Sequence, residues 1–315
     1  MDKVDISVVI PVYDEAENIP VLYQSLKAVM EKLRKSYEII YVDDGSTDSS
    51  AAILRGLSDK DNRVKAVIFR RNYGQTAALD AGIKAAKGSV IVTMDGDLQN
   101  DPEDIPFLLE KIYNKGYDVV SGWRYNRKDS ALRWLLSRLA YLFRRMLLSD
   151  RVHDSGCTLK AYRKECFEGV ALYAQMHRFI PAILTWKGFR VTEIRVRHHP
   201  RKKGKTKYNL SRLAKGVLDA LVLRFWIRYS AQPIHFFGIF GFILLSAGFA
   251  SGAYLSFIKL FYNIPIAGRP LLFLTVIMLV VGVQFIFFGI IADMIAQVYY
   301  GLNQRQSYSI KERIG

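Results

Sequence analysis

Cysteine is scarce: Cys157 and Cys166 are the only two in 315 residues. Two thiols make no disulfide framework, so the chain reads as a protein with reduced cysteines in a reducing compartment. The five histidines show no metal-ligand spacing, which removes the usual zinc patterns. The first apolar run, in "MDKVDISVVIPVY", is too short and too acidic in its flanks for a signal peptide. Neither a G-x-G-x-x-G nor a P-loop follows that run, which sets aside dinucleotide and ATP binding. Two further stretches lack charge altogether, Phe236 to Ile258 and Pro270 to Ala292, each of 23 residues. As helices they measure about 34 Å, enough for a hydrocarbon core of about 30 Å. Two such runs around a short linker, Lys259 to Arg269, predict a membrane hairpin whose outer ends share one side. Gly248 and Gly252 have small-xxx-small spacing, which serves the hairpin itself or a homo-oligomer.

Charge is present in excess but unevenly placed. The formal net charge is +16, made of −5 over residues 1–123, +18 over 124–233 and +3 over 234–315. A basic middle segment suits nucleic acid or an anionic membrane surface. The adjoining spans favour the membrane, so no nucleic-acid partner is expected. The Lys/Arg clusters before the first span place the N-terminal domain on the cytoplasmic face.

Residues 1–122 alternate between apolar runs (Ile6–Val12, Glu38–Val42, Val64–Phe69, Val90–Met94, Val119–Val120) and helical patterns (Asn18–Arg34, Ser49–Leu57, Gln75–Lys87, Pro102–Lys115). Gly88 reads as the C-cap of the third helix. This order predicts an α/β fold with a mainly parallel sheet. Ligands of such sheets bind beyond the carboxyl ends of the strands, which gathers "PVYDE", "DDGSTD" and "DGDLQ" on one rim. Tyr13, Asp14 and Glu15 offer a ring and carboxylates suited to a base or ribose. Gly45 permits a tight turn after Asp43 and Asp44. Asp95 and Asp97 end a buried strand, where paired acids suit Mg²⁺ or Mn²⁺ together with substrate phosphates.

Four ordered segments, "SVVIPVYDEAENI", "YVDDGSTD", "RNYGQTAAL" and "VTMDGDLQNDPEDIP", together resemble the GT-A glycosyltransferases of family 2. The likeness runs from residue 5 to about 210. It is strongest to the membrane-tethered polyprenyl-phosphate branch, which holds dolichyl-phosphate mannose synthases and bactoprenol glucosyltransferases. The resemblance implies a nucleotide-sugar site of Pro11, Tyr13, Glu15, Asp44 and Asp95. It also implies a divalent cation on Asp95, Asp97 and Gln99, with Asp97 also carrying catalysis and Gly96 letting the backbone approach the phosphates.

In "GWRYNRKDSALRWLLSRLAYLFRRMLLSDR", apolar residues from Leu132 to Leu147 recur at helical spacing with arginines between them. The pattern predicts an amphipathic helix over 131–148. Arg133 and Ser137, four apart on one face, reach a single phosphate. The resemblance assigns both, with Arg124, to the acceptor phosphate. It also matches "RKKGKTKY", with Arg201, Gly204, Thr206, Lys207 and Tyr208, to a loop over the donor and acceptor phosphates. Asp154 in "HDSGC" is its candidate base, although a phosphate monoester is already largely dianionic at neutral pH. Arg178 in "QMHRF" resembles the Q-x-x-R-W of processive synthases, but two spans are too few for an export channel.

The expectation is therefore a cytoplasmic GT-A domain over 1–210, a juxtamembrane amphipathic helix over 211–232, two spans over 233–298 and a tail over 299–315. Its activity is metal-dependent, inverting transfer of one hexose to polyprenyl phosphate in a bacterial inner membrane. UDP-glucose is the favoured donor, with GDP-mannose and a modified UDP-arabinose as alternatives. A glycan-chain extender and a non-catalytic lipid or nucleic-acid binder are the competing readings.

Overall fold

A computed structural model describes residues 4–125, 152–170, 172, 176–200, 222, 224–225, 229, 233–301 and 310–314. The chain forms two compact units, Met1–Ala220 with Arg305–Gly315, and Leu221–Gln304. In the first, strands and helices alternate: β1 (Ile6–Val12), α1 (Ile19–Lys32), β2 (Tyr37–Asp43), α2 (Ser50–Lys60), β3 (Val64–Phe69), α3 (Gln75–Ala85), β4 (Val90–Thr93), α4 (Ile105–Lys115), β5 (Val119–Arg124). Then come β6 (Lys160–Arg163), α5 (Ile180–Trp186) and β7 (Val191–Val196), and β8 (Ile310–Ile314) follows much later in the chain.

The sheet runs β7-β5-β6-β4-β1-β2-β3-β8. β4, β1, β2 and β3 pair in parallel, as do β5 and β7, whereas β6 and β8 pair antiparallel to their neighbours. The sheet is thus mixed: the parallel strands expected from residues 1–122 are present, and the antiparallel strands β6 and β8 come from beyond them. Successive side chains of a strand face opposite ways, and both faces are buried. Val8, Ile10, Ile39 and Tyr41 pack with Leu22, Leu26 and Met30 of α1 and Leu108 and Ile112 of α4. Val9, Ile40 and Val42 pack with Ala77, Ala78 and Ala81 of α3 and Ile180 and Leu184 of α5. The helix α3 ends at Ala85 without a glycine cap. Gly88 instead serves close approach, since a Cβ there would lie 2.6 Å from the Ser7 amide nitrogen.

The second unit holds α6 (Ile234–Tyr262) and α7 (Pro270–Gly301). Both are long and apolar enough to cross a membrane. Their contact is lined by small residues. A Cβ on Gly248 would meet Leu279 at 2.9 Å, and one on Gly282 would meet Leu245 at 2.8 Å and the Gly241 carbonyl at 3.0 Å. Gly248 therefore serves the hairpin, while a Cβ on Gly252 would make only ordinary contact with Thr275, at 3.5 Å. The Thr275 hydroxyl lies 2.8 Å from that of Ser251 and ties the helices by a polar contact.

Candidate active site

Because β4, β1 and β2 are parallel neighbours, their carboxyl ends bring Asp95, Tyr13 and Asp44 to one rim. Pro11 pairs with Val42 near the end of β1. Tyr13 is 40% exposed, open for ring stacking. Asp14, in the left-handed region at φ 55°, accepts from the Thr47 amide at 2.7 Å, and its own amide donates to Ser46 Oγ at 2.9 Å. The Glu15 amide donates to Ser50 Oγ at 3.1 Å, and its carboxylate accepts from the Asn18 side chain. These bonds lock the β1 turn onto the β2 turn.

Asp44 is buried and binds backbone rather than pointing into solvent. It accepts from the Tyr73 amide at 2.7 Å and the Gly74 amide at 2.9 Å. Burial raises its pKa, with those two amides working the other way. Asp44 thus fixes the loop between β3 and α3, and Gly45 completes that junction. At φ +74°, a Cβ on Gly45 would lie 2.3 Å from the Arg71 carbonyl carbon.

The acidic turn is supported from several directions. Gln75, the first residue of α3, donates to Asp95 Oδ1 at 2.7 Å. The Asp97 carboxylate accepts from the Gln99 amide at 3.1 Å and so shapes the turn, in which Leu98 takes φ 62°. Burial, reinforced by the Asp97 charge, pushes Asp95 up to about 6. A second negative charge is thus unfavourable here until a cation joins it. Among the described residues no three His, Cys, Asp or Glu side chains converge as a metal cage. The set fits the chemistry of Mg²⁺ or Mn²⁺ nonetheless: two carboxylates and the Gln99 amide oxygen, with substrate phosphates supplying the rest. Gly96 has a packing role as well, because a Cβ there would meet Val12 Cγ1 at 2.8 Å.

Two cations lie beside this turn, Arg124 half-buried and Lys160 buried. Arg124, at the end of β5, grips Asp154 with Nε at 2.6 Å and Nη2 at 2.8 Å. Burial works to raise the Asp154 pKa, but the bonds and charge of Arg124 outweigh it and hold the carboxyl below its usual range. Lys160 is paired in register with Thr93. It is buried, and its Nζ donates to the Ser155 carbonyl at 3.2 Å and to that of Cys157. It thereby fixes the turn that carries Asp154.

Arg197 links the acidic turn to the end of β7. It donates to Asp104 from its amide at 2.7 Å and from Nε at 3.0 Å, and its Nη1 lies 3.2 Å from Asp101. The His199 amide donates to the Gln99 carbonyl at 2.9 Å. The chain therefore enters the basic run that starts at 201 directly beside the acidic turn. Arg133, Ser137, Arg201, Lys207 and the helices expected over 131–148 and 211–232 lie outside the described residues, apart from the helical positions 222, 224–225 and 229.

Sequence reasoning missed Gln75, Lys160 and Arg197. Gln75 stands inside a recognised motif, and its place at a helix start after β3 was the available signal. Lys160 and Arg197 read as ordinary surface charges, because only the sheet register brings them to the rim.

Residues 7–170 match the family model described as Glycosyl transferase family 2. The chain is a family 2 glycosyltransferase. Over 316 aligned residues the transferase is 38% identical to a dodecaprenyl-phosphate galacturonate synthase of Rhizobium johnstonii, covering 99% of this chain and 94% of that one. It is 33% identical to an undecaprenyl-phosphate 4-deoxy-4-formamido-L-arabinose transferase of Yersinia enterocolitica, covering 98% and 94%. Among solved structures the transferase resembles a glucosyl-3-phosphoglycerate synthase from Mycobacterium tuberculosis in complex with Mn²⁺, UDP and glucosyl-3-phosphoglycerate. That likeness has a TM-score of 0.54 at 18% identity, over 72% of this chain and 82% of that one. It establishes the GT-A-type fold of the sheet domain.

Proposed function

We propose that this transferase moves one sugar from a nucleoside diphosphate to a polyprenyl phosphate at the membrane surface. The observation that carries the reading is the paired-acid turn beside a half-buried Arg124–Asp154 pair, in a chain that also holds two membrane-length helices. Both relatives just described are named for polyprenyl-phosphate products or substrates. The donor's nucleotide would rest on Tyr13 and on the pocket that Glu15 and Asp44 build.

Asp95, Asp97 and Gln99 would hold Mg²⁺ or Mn²⁺, which when bound supplies neutralising charge for the departing diphosphate. An acceptor phosphate oxygen attacks the anomeric carbon opposite the leaving diphosphate. The new C–O bond forms as the old one breaks, which inverts the centre. A dianionic phosphate needs no proton removed, and Asp154 is already ionised by its bonds to Arg124. Asp154 therefore orients Arg124 toward the acceptor, with Arg133, Ser137, Arg201 and Lys207 completing the phosphate site.

The sugar is a finer question. UDP-glucose is the expectation from the twin-span resemblance, whereas the relatives are named for galacturonate and for formamido-arabinose. Donor depletion across a panel of nucleotide sugars, with undecaprenyl phosphate present, decides among them. The clusters of Lys/Arg before α6 support a cytoplasmic catalytic domain in a bacterial inner membrane. Reporter fusions at Arg228 and Arg305 that reported opposite sides would overturn the hairpin topology.

The assignment of donor and acceptor is tested by varying both substrates. An arginine bonded to phosphate contributes about 1.5–3 kcal/mol, so Arg133→Ala should weaken acceptor use by roughly 10- to 150-fold. UDP affinity should stay near that of the parent. Asp44→Ala should do the reverse, because it frees the 73–74 loop that shapes the nucleotide pocket. Equal loss of UDP binding in the two variants would sink the division.

A further inference from the structure

The loop from β3 into α3 is tied to three other parts of the sheet domain through four consecutive residues. Tyr73 and Gly74 give their amides to Asp44, after β2. Gln75 donates from Nε2 to Asp95 Oδ1, after β4, at 2.7 Å. Thr76 Oγ1 lies 2.6 Å from Nδ1 of the buried His177, in the short turn Met176–Arg178.

The bond from Gln75 is not needed to seat α3. Ala77, Ala78 and Ala81 already pack against the sheet, and the Asp44 and His177 contacts fix the residues on either side of Gln75. Its consequence falls on the carboxylate. Arg124 and Lys160 stand near Asp95, but Arg124 bonds Asp154, and Lys160 bonds the Ser155 and Cys157 carbonyls. Two neutral groups hydrogen-bond Asp95 instead, the Gln75 amide and the Thr158 hydroxyl. Thr158 is braced in turn by the Asn100 side chain, which donates to its Oγ1 at 2.9 Å. A neutral donor fixes an orientation without cancelling charge, whereas a bonded Lys or Arg would compete with an incoming cation. An ionised carboxylate has about four lone-pair sites, so two such bonds leave room for a metal ion.

We propose that Gln75 is a positioning residue that presents the Asp95 carboxylate to the divalent cation. The idea rests on the reading of Asp95 and Asp97 as the cation site. It predicts a defect in metal binding with none in metal-free nucleotide binding.

The test uses the full-length protein in detergent, with UDP and Mn²⁺ as probes. Bound Mn²⁺ is read from the loss of the free-ion signal in electron paramagnetic resonance. Gln75→Met keeps the length of the side chain without its donor. With UDP present it should bind Mn²⁺ about 10- to 100-fold more weakly than the parent, the range typical when a group that orients a metal ligand is removed. UDP affinity and Tm, both measured without metal, should stay near the parent's. Gln75→Met binding Mn²⁺ like the parent would overturn the proposal, since packing alone would then suffice. A metal-free UDP affinity falling as far as that for Mn²⁺ would also overturn it, because Gln75 would then serve the nucleotide pocket. A parent that binds no Mn²⁺ would remove the cation reading of the acidic turn, and this proposal with it. An effect confined to the variants decides the role of Gln75 alone. If Gln75→Met does not fold, Gln75→Ala carries the same comparison.

Discussion

Replacing Asp154 by Asn separates two roles that a carboxylate beside an acceptor can play. Arg124 and Asp154 share a bidentate pair, at 2.6 Å and 2.8 Å, and a backbone bond of 3.3 Å from the Arg124 amide. Their side chains are 14% and 17% exposed, so solvent screens the pair only weakly. Removing one partner of a buried pair costs about 3–5 kcal/mol, because the other charge is left uncompensated. This pair is half-buried and Asn keeps one acceptor oxygen, both of which place the loss at the low end, about 3 kcal/mol. For a domain of this size that corresponds to a drop in Tm of roughly 6–12 °C.

The pH dependence follows from the depressed pKa of Asp154. A carboxylate held below its unfolded value of about 3.9 stabilises the fold above that pH. The contribution disappears as pH falls through the folded value. The gap in Tm between parent and Asp154→Asn should therefore be constant from pH 8 to 5 and shrink below about pH 4. Because Asp154 is ionised throughout the neutral range, kcat should fall in the variant while its pH profile keeps its shape. Melting followed by tryptophan fluorescence, with kcat measured from pH 5.5 to 8.5, tests both. A variant melting with the parent, or a neutral limb lost from the kcat profile, would refute the orienting role and restore a base.

Three other outcomes are expected. Asp97→Ala should abolish Mn²⁺-dependent UDP binding in calorimetry while leaving Tm unchanged, since the half-buried turn is not core; activity persisting in excess EDTA would remove the metal role. Gly282→Leu should part α6 from α7, because its first added carbon already meets Leu245 at 2.8 Å, and thermal melting of the detergent-solubilised variant should fall below the parent's. Burial pushes His177, bonded to Thr76 Oγ1 at 2.6 Å, down to about 3; its contribution is complete above about pH 6.5 and is lost as pH falls from there toward about 3. Between pH 6.5 and 5 the parent should lose about 2 kcal/mol more than His177→Gln in urea unfolding.

Much of the rim was readable because its strands are short apolar runs that end in acids. β1 and β3 have the bounds that hydropathy gives, β2 is one residue longer at each end, and β4 one shorter at its end. The rest depends on partners distant in the chain. β6, of sequence Lys-Ala-Tyr-Arg, has no apolar run and is a strand because β4 and β5 flank it. β7 alternates as an edge strand should, but it stands in a region whose charge directs attention to lipid. Arg124 was assigned to a phosphate by resemblance, and its bond to Asp154 spans 30 residues with no local signal. Lys160 looks like a solvent charge until the Thr93 register carries it under the acidic turn.

β8 pairs with β3, Ala66 opposite Ile314 and Phe69 opposite Ile310, at the edge of the same sheet that begins the chain. The two apolar helices are thus an excursion from a domain that the chain leaves and rejoins. Were these helices to cross a membrane, an even number of crossings would be required for β8 to reach β3. The order of synthesis adds a second constraint. The edge of β3 that β8 covers stays unpaired until both helices and β8 itself have been made, so this edge of the sheet closes only after the helices are synthesised.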